Sequence, residues 1–139
     1  MINELNFTTD SLFKGISYDT DADFWSFIFA DEIGVGVSGF WRLLEKNQIV
    51  LVSLDHGHQF GLPKPLDLSE EIKKRLSGKK LIKIHVDKDT VDLTLTLTDQ
   101  FKLEVYIASL GYETYDFSID DKRYIGLGSG DISIMDIIR

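Results

Sequence analysis

Residues 80–109 contain three runs in which apolar and polar side chains alternate with a period of two, and this pattern restricts the chain to a fold built on a sheet. The segment contains the runs KLIKIHVD, TVDLTLTLTD and FKLEVYIAS, which only short polar breaks separate. A period of two is typical of strands with one buried face, and such short breaks are typical of hairpins. We therefore expect three strands that are antiparallel neighbours. In the first of them, the residues expected to alternate with Lys83 and His85 and to face the core are Ile82, Ile84 and Val86.

Other short apolar runs predict further strands. FWSFIFA at 24–30 is apolar on both faces and predicts a buried strand, and GFWRLLEKNQIVLVSLD predicts two strands with a turn at 45–48. YETYDFSIDDKRYIGLG is expected to continue the antiparallel meander with a turn at 120–121. The predicted fold class is therefore α+β, predominantly an antiparallel β-sheet built as a meander of hairpins, with one main helix at about 67–77.

The helix is predicted from its end signals and its period. Asp67 is placed to cap the N-terminus, Glu70 follows three residues later, and Gly78 is placed to end the helix. The apolar residues that share one face of this helix are Leu68, Ile72 and Leu76.

Length and composition predict one domain, residues 1–139, with an ordinary hydrophobic content of 43%. The chain has no cysteine, which excludes disulfides, thiolate catalysis and cysteine-bound zinc. The N-terminal residues MINELNFTTD do not have the pattern of a secretory signal, and no apolar run is long enough to cross a bilayer. We therefore expect a soluble, cytoplasmic protein.

The stretch GVGVSG at 34–39 matches the glycine pattern of dinucleotide-binding proteins, and Asp55 follows about twenty residues later. That pattern requires a helix of ten or more residues after the glycines, whereas FWRLLEKN separates them from the next strand. We therefore predict a strand after the glycines and no bound nucleotide or other cofactor. The later stretch GLGSGD lacks the ending of a phosphate-binding loop and predicts a turn or bulge.

The net charge of −8 is distributed unevenly along the chain. Residues 1–41 carry seven acidic residues and one basic, residues 64–88 four acidic and eight basic, and residues 89–136 ten acidic and three basic. An acidic surface repels phosphate backbones, which argues against direct binding of nucleic acid, and it attracts basic proteins. The alternative is that the acidity only maintains solubility.

The stretch YDTDADF has aspartates at the spacing of the first three ligands of a calcium loop. Phe24 would take the position that requires glycine, and Ala30 the position that requires a bidentate glutamate. We therefore expect a solvated acidic turn, with carboxylates that are available to a basic partner.

The stretch GYETYDFSID places tyrosines beside carboxylates, a composition typical of protein-recognition surfaces, although an ordinary sheet surface has the same appearance. The candidate partner-binding residues of this stretch and of the acidic turn are Asp19, Asp21, Asp23, Tyr112, Glu113, Tyr115, Asp116, Asp120 and Asp121.

The best candidate for a metal site is LDHGHQFG. On an extended backbone His56 and His58 would point to one face with Asp55 nearby, but no spacing specifies a third protein ligand. The alternative, a polar turn at a strand end, is favoured. Serine nucleophiles have no supporting pattern, so no catalytic residues are predicted and the chain is not expected to be an enzyme.

Residues 37–134 resemble a family of small bacterial proteins that are often encoded beside polymorphic toxins. The stretches that carry the resemblance are FWRLL, LVSLDHGHQFGLPKPLD, VDLTLTLTDQFKLEVYIASLGYETYDF and GLGSGD, in that order. The family is treated as immunity proteins of contact-dependent growth inhibition systems. This chain has Tyr115 where the family pattern has tryptophan, and its first thirty or so residues lie outside the resemblance.

The resemblance implies a cytoplasmic protein that binds and blocks one toxin domain, commonly a nuclease. The first hypothesis is therefore an inhibitor that neutralises a basic toxin domain, without membrane or nucleic-acid contacts. Two alternatives remain open at this point. One is a small metal-dependent enzyme that uses Asp55, His56 and His58, and the other is a module that self-associates through an exposed sheet edge.

Overall fold

The computed structural model describes residues 5–138. In that range the chain forms an α+β fold in which one antiparallel sheet of eleven strands is accompanied by one helix, as predicted. The strands, numbered in chain order, are β1 (Leu5–Asp19), β2 (Phe24–Phe29), β3 (Ile33–Ser38), β4 (Trp41–Glu45), β5 (Gln48–Val52), β6 (Lys80–Val86), β7 (Leu93–Leu97), β8 (Phe101–Val105), β9 (Tyr115–Ile119), β10 (Lys122–Leu127) and β11 (Asp131–Asp136). The helix α1 is Leu68–Leu76.

The long strand β1 lies in the middle of the sheet and joins its two halves. The strand order is β11-β10-β9-β3-β2-β1-β6-β7-β8-β4-β5. The first part of β1 pairs with β6 and the second part pairs with β2. Its register shifts between Thr8 and Ser11 and again between Phe13 and Gly15. Such irregularities bend a strand, which allows the two halves of the sheet to pack against each other.

The hydrophobic core lies between these two halves. Trp25 on β2 contacts Trp41 on β4 with ring centroids 5.2 Å apart, and Phe7 on β1 contacts Phe117 on β9 at 5.9 Å. Trp25, Trp41 and Phe117 are almost fully buried. Because each ring pair of this kind adds roughly 0.5–1.5 kcal/mol beyond the area that it buries, these contacts hold the two halves together.

The predicted hairpins at 45–48 and 120–121 are confirmed. Lys46 and Asn47 have φ values of 51° and 65°, and Asp120 and Asp121 have φ values of 54° and 62°. Two-residue turns with positive φ at both positions match the twist of antiparallel strands. The antiparallel arrangement of β6, β7 and β8 is confirmed as well.

The alternation predicted for the first strand of this group is wrong at one residue. Ile82 was expected to face the core, but it is 36% exposed, whereas Leu81 is fully buried. The register with β7 shifts between Leu81 and Lys83, which marks a bulge. The extra residue in the bulge moves Leu81 to the buried face and Ile82 to the outer face.

Two further expectations about the sheet need correction. β9 does not continue the meander from β8, because it pairs with β3 and β10 in the other half of the sheet. The run at 24–30 is not buried on both faces either. Trp25, Phe27 and Phe29 face the core, whereas Ile28 lies on the outer face of the sheet and is 47% exposed.

The helix α1 begins and ends close to the predicted positions. The Asp67 side chain accepts hydrogen bonds from the backbone N–H groups of Ser69 and Glu70, and Gly78 follows the helix with a φ of 79°. The predicted stripe of Leu68, Ile72 and Leu76 is almost fully buried, and the helix packs against β1. In the part of the chain that the structure describes, no helix is long and apolar enough to cross a membrane.

The glycine stretch GVGVSG forms most of β3, and the chain continues directly into β4, as predicted. At Gly36 the position that a Cβ atom would take is occupied by the Phe24 ring and the Asp116 carboxylate. The glycines were expected to allow a bend or the close passage of another backbone. At Gly36 the close approach is instead made by two side chains.

Candidate partner-binding surface

The acidic turn predicted from YDTDADF connects β1 to β2 and is stabilised by its own carboxylates. Asp19 Oδ1 accepts hydrogen bonds from the backbone N–H groups of Asp21 and Ala22, at 3.0 and 3.3 Å. The Tyr18 hydroxyl donates to Asp23 Oδ1 at 2.8 Å, and this bond is the main reason why the pKa of Tyr18 is raised. Since the turn is exposed to solvent, its three aspartates are accessible to a partner.

The connection between β8 and β9 projects two large side chains from a fixed backbone. Leu110 is 85% exposed and Tyr112 is 80% exposed. The Ser109 hydroxyl oxygen accepts hydrogen bonds from the N–H groups of Gly111 and Tyr112 at 3.1 and 3.0 Å. The Ser129 hydroxyl donates to the Leu110 carbonyl at 3.1 Å. These bonds hold the backbone while the two side chains point into solvent.

The connection between β6 and β7 is also acidic. Asp87 Oδ1 accepts hydrogen bonds from the N–H groups of Thr90 and Asp89, and these bonds lower the pKa of the Asp87 carboxyl. Asp92 Oδ1 accepts from the N–H of Ile107 at 2.8 Å, which ties this connection to the residues that follow β8.

Tyr115 was predicted to bind a partner, and the structure contradicts this prediction. The side chain is only 2% exposed, and burial raises its pKa. Its hydroxyl donates to the carbonyl of Val91 at 2.9 Å. Tyr115 therefore belongs to the core, and it joins β9 to the β6–β7 connection.

Two cavities lie between these connections. One of about 290 Å³ is lined by residues of the β1–β2 turn and of the β8–β9 connection, and by Asp116 and Arg123. The other, of about 710 Å³, lies between the β6–β7, β8–β9 and β10–β11 connections, with Asp89, Leu110 and Ser129 among its lining residues. Connections that are distant in the sequence therefore meet at one edge of the molecule.

We call the acidic residues of this edge the acidic rim. It comprises Asp19, Asp21, Asp23, Asp87, Asp89, Asp92, Glu113 and Asp131. The segments that carry the rim, 19–23, 87–92, 106–114 and 128–131, contain Lys88 as their single basic residue. Sequence reasoning found half of these acids. It missed the others and Leu110, for which the only signals were the acidic stretch DKDTVD and an apolar residue in a short polar loop.

The other predicted site residues are not part of the rim. Asp116 is on the outer face of β9, and its Oδ2 accepts a hydrogen bond from Arg123 Nε at 2.8 Å, so that its charge is paired. Asp120 and Asp121 form the β9–β10 turn at the opposite end of β9 from Glu113. The structure therefore brings together five of the nine predicted residues and Asp116 borders them, but Tyr115 is buried and the 120–121 pair is separate.

The histidines of LDHGHQFG do not share one face of an extended strand. His56 Nδ1 accepts a hydrogen bond from the N–H of Leu68 at 3.1 Å, and its ring packs against Tyr18 and Trp25. His58 stacks on a different aromatic ring. Within residues 5–138, no group of three or more His, Asp or Glu side chains is arranged to hold a metal ion. His56 thus has an evident structural role at the start of α1.

In comparisons with known proteins, no family model, no curated protein and no solved structure matches the chain. The function is therefore argued from the residues of this chain and from their arrangement.

Proposed function

We propose that this protein is an immunity-type inhibitor, a non-catalytic cytoplasmic protein that binds and neutralises a cognate toxin domain. The observation that carries the proposal is the acidic rim, whose connections carry eight carboxylates and one lysine together with the exposed side chains of Leu110 and Tyr112. The resemblance of residues 37–134 to immunity proteins of contact-dependent growth inhibition systems supports the same function.

The chemistry of the rim favours a basic protein as the partner. A nuclease has to attract phosphates and therefore tends to carry a basic surface. An acidic inhibitor associates quickly with such a surface, and the same charge repels nucleic acid itself. We therefore propose a basic nuclease domain as the toxin, bound at the rim without a cofactor.

Leu110 and Tyr112 would supply the apolar anchors of this interface. Tyrosine is enriched among the residues that dominate binding free energies. The Ser109 hydroxyl accepts hydrogen bonds from this backbone and the Ser129 hydroxyl donates one to it, so the backbone is already held in place before binding, which reduces the entropy lost on binding.

The first prediction concerns the charge of the rim. We expect the gene immediately upstream of this chain to encode a large secreted protein, and the C-terminal domain of that protein is the probe. We expect it to bind the wild-type chain tightly at low salt and to associate more slowly as salt is added. Asp21→Asn with Asp23→Asn should lower the association rate by about tenfold, because two rim charges are lost.

A matched control is available at the other end of β9. Asp120→Asn with Asp121→Asn removes two charges from another tight turn, and asparagine tolerates the positive φ of both residues. This control should leave the association rate within about twofold of wild type. Stopped-flow or surface-plasmon measurements give these rates. If the association rate fell equally in the two variants, the rim would not be the binding site. If the wild-type chain did not bind at low salt, the proposed function would be refuted.

A further inference from the structure

β11 is an unprotected edge strand. Within residues 5–138, β11 pairs with β10 alone. Its sequence DISIMD contains no lysine, arginine or proline, the residues that usually protect an edge from pairing with another chain. Ile134 and Met135 are each 50% exposed. The strand therefore offers free backbone groups together with apolar side chains on both of its faces.

A second copy of this chain is a poor occupant for this edge. In-register antiparallel pairing of two β11 strands would place Asp131 of one copy opposite Asp136 of the other, at both ends of the pair. Like charges directly opposite each other destabilise a strand pair. Lys122 on β10 pairs with Asp136 at 3.0 Å, but in the described chain no ion pair involves Asp131. The edge thus favours a strand with basic residues at its ends.

The position of β11 connects this edge to the acidic rim. The strand begins at Asp131, which is itself a rim residue, and it follows Ser129, whose hydroxyl bonds to the Leu110 carbonyl. A partner that binds the rim would therefore also contact the first residues of β11.

We propose that β11 accepts an extended segment of the basic toxin domain as an added antiparallel strand. Main-chain hydrogen bonds would supply the affinity, and alternate side chains would supply the specificity. Ile134 lies opposite Tyr124 in the β10–β11 pair, so an apolar side chain of the added strand would pack beside it. Lys or Arg residues at the ends of that segment would face Asp131 and Asp136. This inference rests on the proposed function.

The test compares substitutions at the two edges of the sheet. Ile134→Lys and Ile134→Glu change β11, and Ile49→Lys and Ile49→Glu change β5 at the opposite edge, where Ile49 is 52% exposed. The probe is again the C-terminal domain encoded upstream. Both Ile134 variants should weaken binding by about tenfold or more, whereas the Ile49 variants should bind like wild type. A purely electrostatic effect would instead make Ile134→Glu bind more tightly.

Hydrogen exchange of the wild-type complex provides a measurement that does not depend on a substitution. The amides of 131–136 should become protected when the domain binds, and those of 48–52 should not. Unchanged exchange at 131–136, or Ile134 variants that bind like wild type, would overturn the added strand while the rim remains supported. No binding by the wild-type chain would overturn both proposals. Dimerisation of the free wild-type chain that Ile134→Lys abolishes would assign the edge to a second copy.

Discussion

Gly126 and Tyr115 lie directly opposite each other in the β9–β10 pair, and the absence of a side chain on Gly126 gives the tyrosine ring its space. A Cβ atom at Gly126 would overlap three carbon atoms of that ring. The ring is almost fully buried and its hydroxyl is bonded to the Val91 carbonyl, so it has little freedom to move away.

The second prediction follows from this contact. Gly126→Ala should lower the free energy of unfolding by about 1–3 kcal/mol through overpacking. Gly34→Ala is the control, because a Cβ atom there meets no other atom within 4 Å. The control should be neutral or stabilising by up to about 1 kcal/mol, since alanine restricts the unfolded chain. Urea denaturation measures both changes, and an unaltered midpoint for Gly126→Ala would contradict the proposed packing.

The third prediction concerns the pH dependence that Tyr115 imposes. Burial raises the pKa of its hydroxyl above the value of about 10 that it has in the unfolded chain. Above that pH the unfolded chain releases the proton while the folded chain keeps it, so the free energy of unfolding falls as pH rises. For one such group the slope approaches about 1.4 kcal/mol per pH unit.

Tyr115→Phe tests this directly, because it removes the ionisable group and keeps the ring. At neutral pH the free energy of unfolding of the variant should be about 1 kcal/mol lower than that of the wild type, because the hydrogen bond to Val91 is lost. Above pH 10 its stability should fall less steeply than that of the wild type. Tyr112→Phe, at an exposed side chain, is the control and should preserve the wild-type pH profile. Parallel profiles for all three proteins would show that Tyr115 is not protected from ionisation.

At the scale of single elements, α1 depends on contacts at its first turn. Asp67 accepts hydrogen bonds from two backbone N–H groups, and His56 accepts from a third, that of Leu68. Amides at this end have no partner within the helix, so these two side chains satisfy donors that would otherwise need water.

The fourth prediction is that Asp67→Ala lowers the free energy of unfolding by about 1 kcal/mol, because it removes the cap. Asp67→Ser retains a capping oxygen and should recover most of the loss. Thermal or urea unfolding provides the comparison. If the alanine and serine variants were equally destabilised, the hydrogen bonds of the cap would not be the cause.

The elements that sequence reasoning located correctly are those that local rules determine. The helix α1 and the strands β6 to β8 follow from caps, periods and short breaks that lie close together in the chain. The pairing of β9 with β3 does not follow from such local signals. About eighty residues separate these strands, and only core packing selects them as neighbours. The bulge at Ile82 was missed for a related reason, since an extra residue in a strand has no fixed sequence signal.

The same distinction applies to the candidate site. The carboxylates of the β1–β2 turn were recognised as accessible from their local sequence. Tyr115 and Asp116 are neighbours in one strand and therefore lie on opposite faces, but the local sequence does not indicate which of the two faces is buried. The contribution of Asp87, Asp89 and Asp131 depends on loops that meet only in the folded chain, so no local pattern identified them.

At the scale of the whole molecule, charge and topology act together. The net charge of −8 is a property of the composition, but the fold gathers eight acidic residues and one lysine onto the connections at one edge. Leu110 and Tyr112 project from the same edge, and β11 begins there. The fold thus concentrates charge, exposed apolar side chains and a free strand edge on the side that we propose as the toxin-binding surface.

The most direct test of this account is the growth of cells that produce the proposed toxin, the C-terminal domain encoded upstream, together with this protein. The wild-type chain and the Asp120→Asn/Asp121→Asn variant should restore growth. A rim variant that combines Asp21→Asn, Asp23→Asn and Tyr112→Ala should fold normally and fail to restore it, because the charges and the anchor are lost. Failure of the wild-type chain to protect the cells, or full protection by the rim variant, would contradict the account.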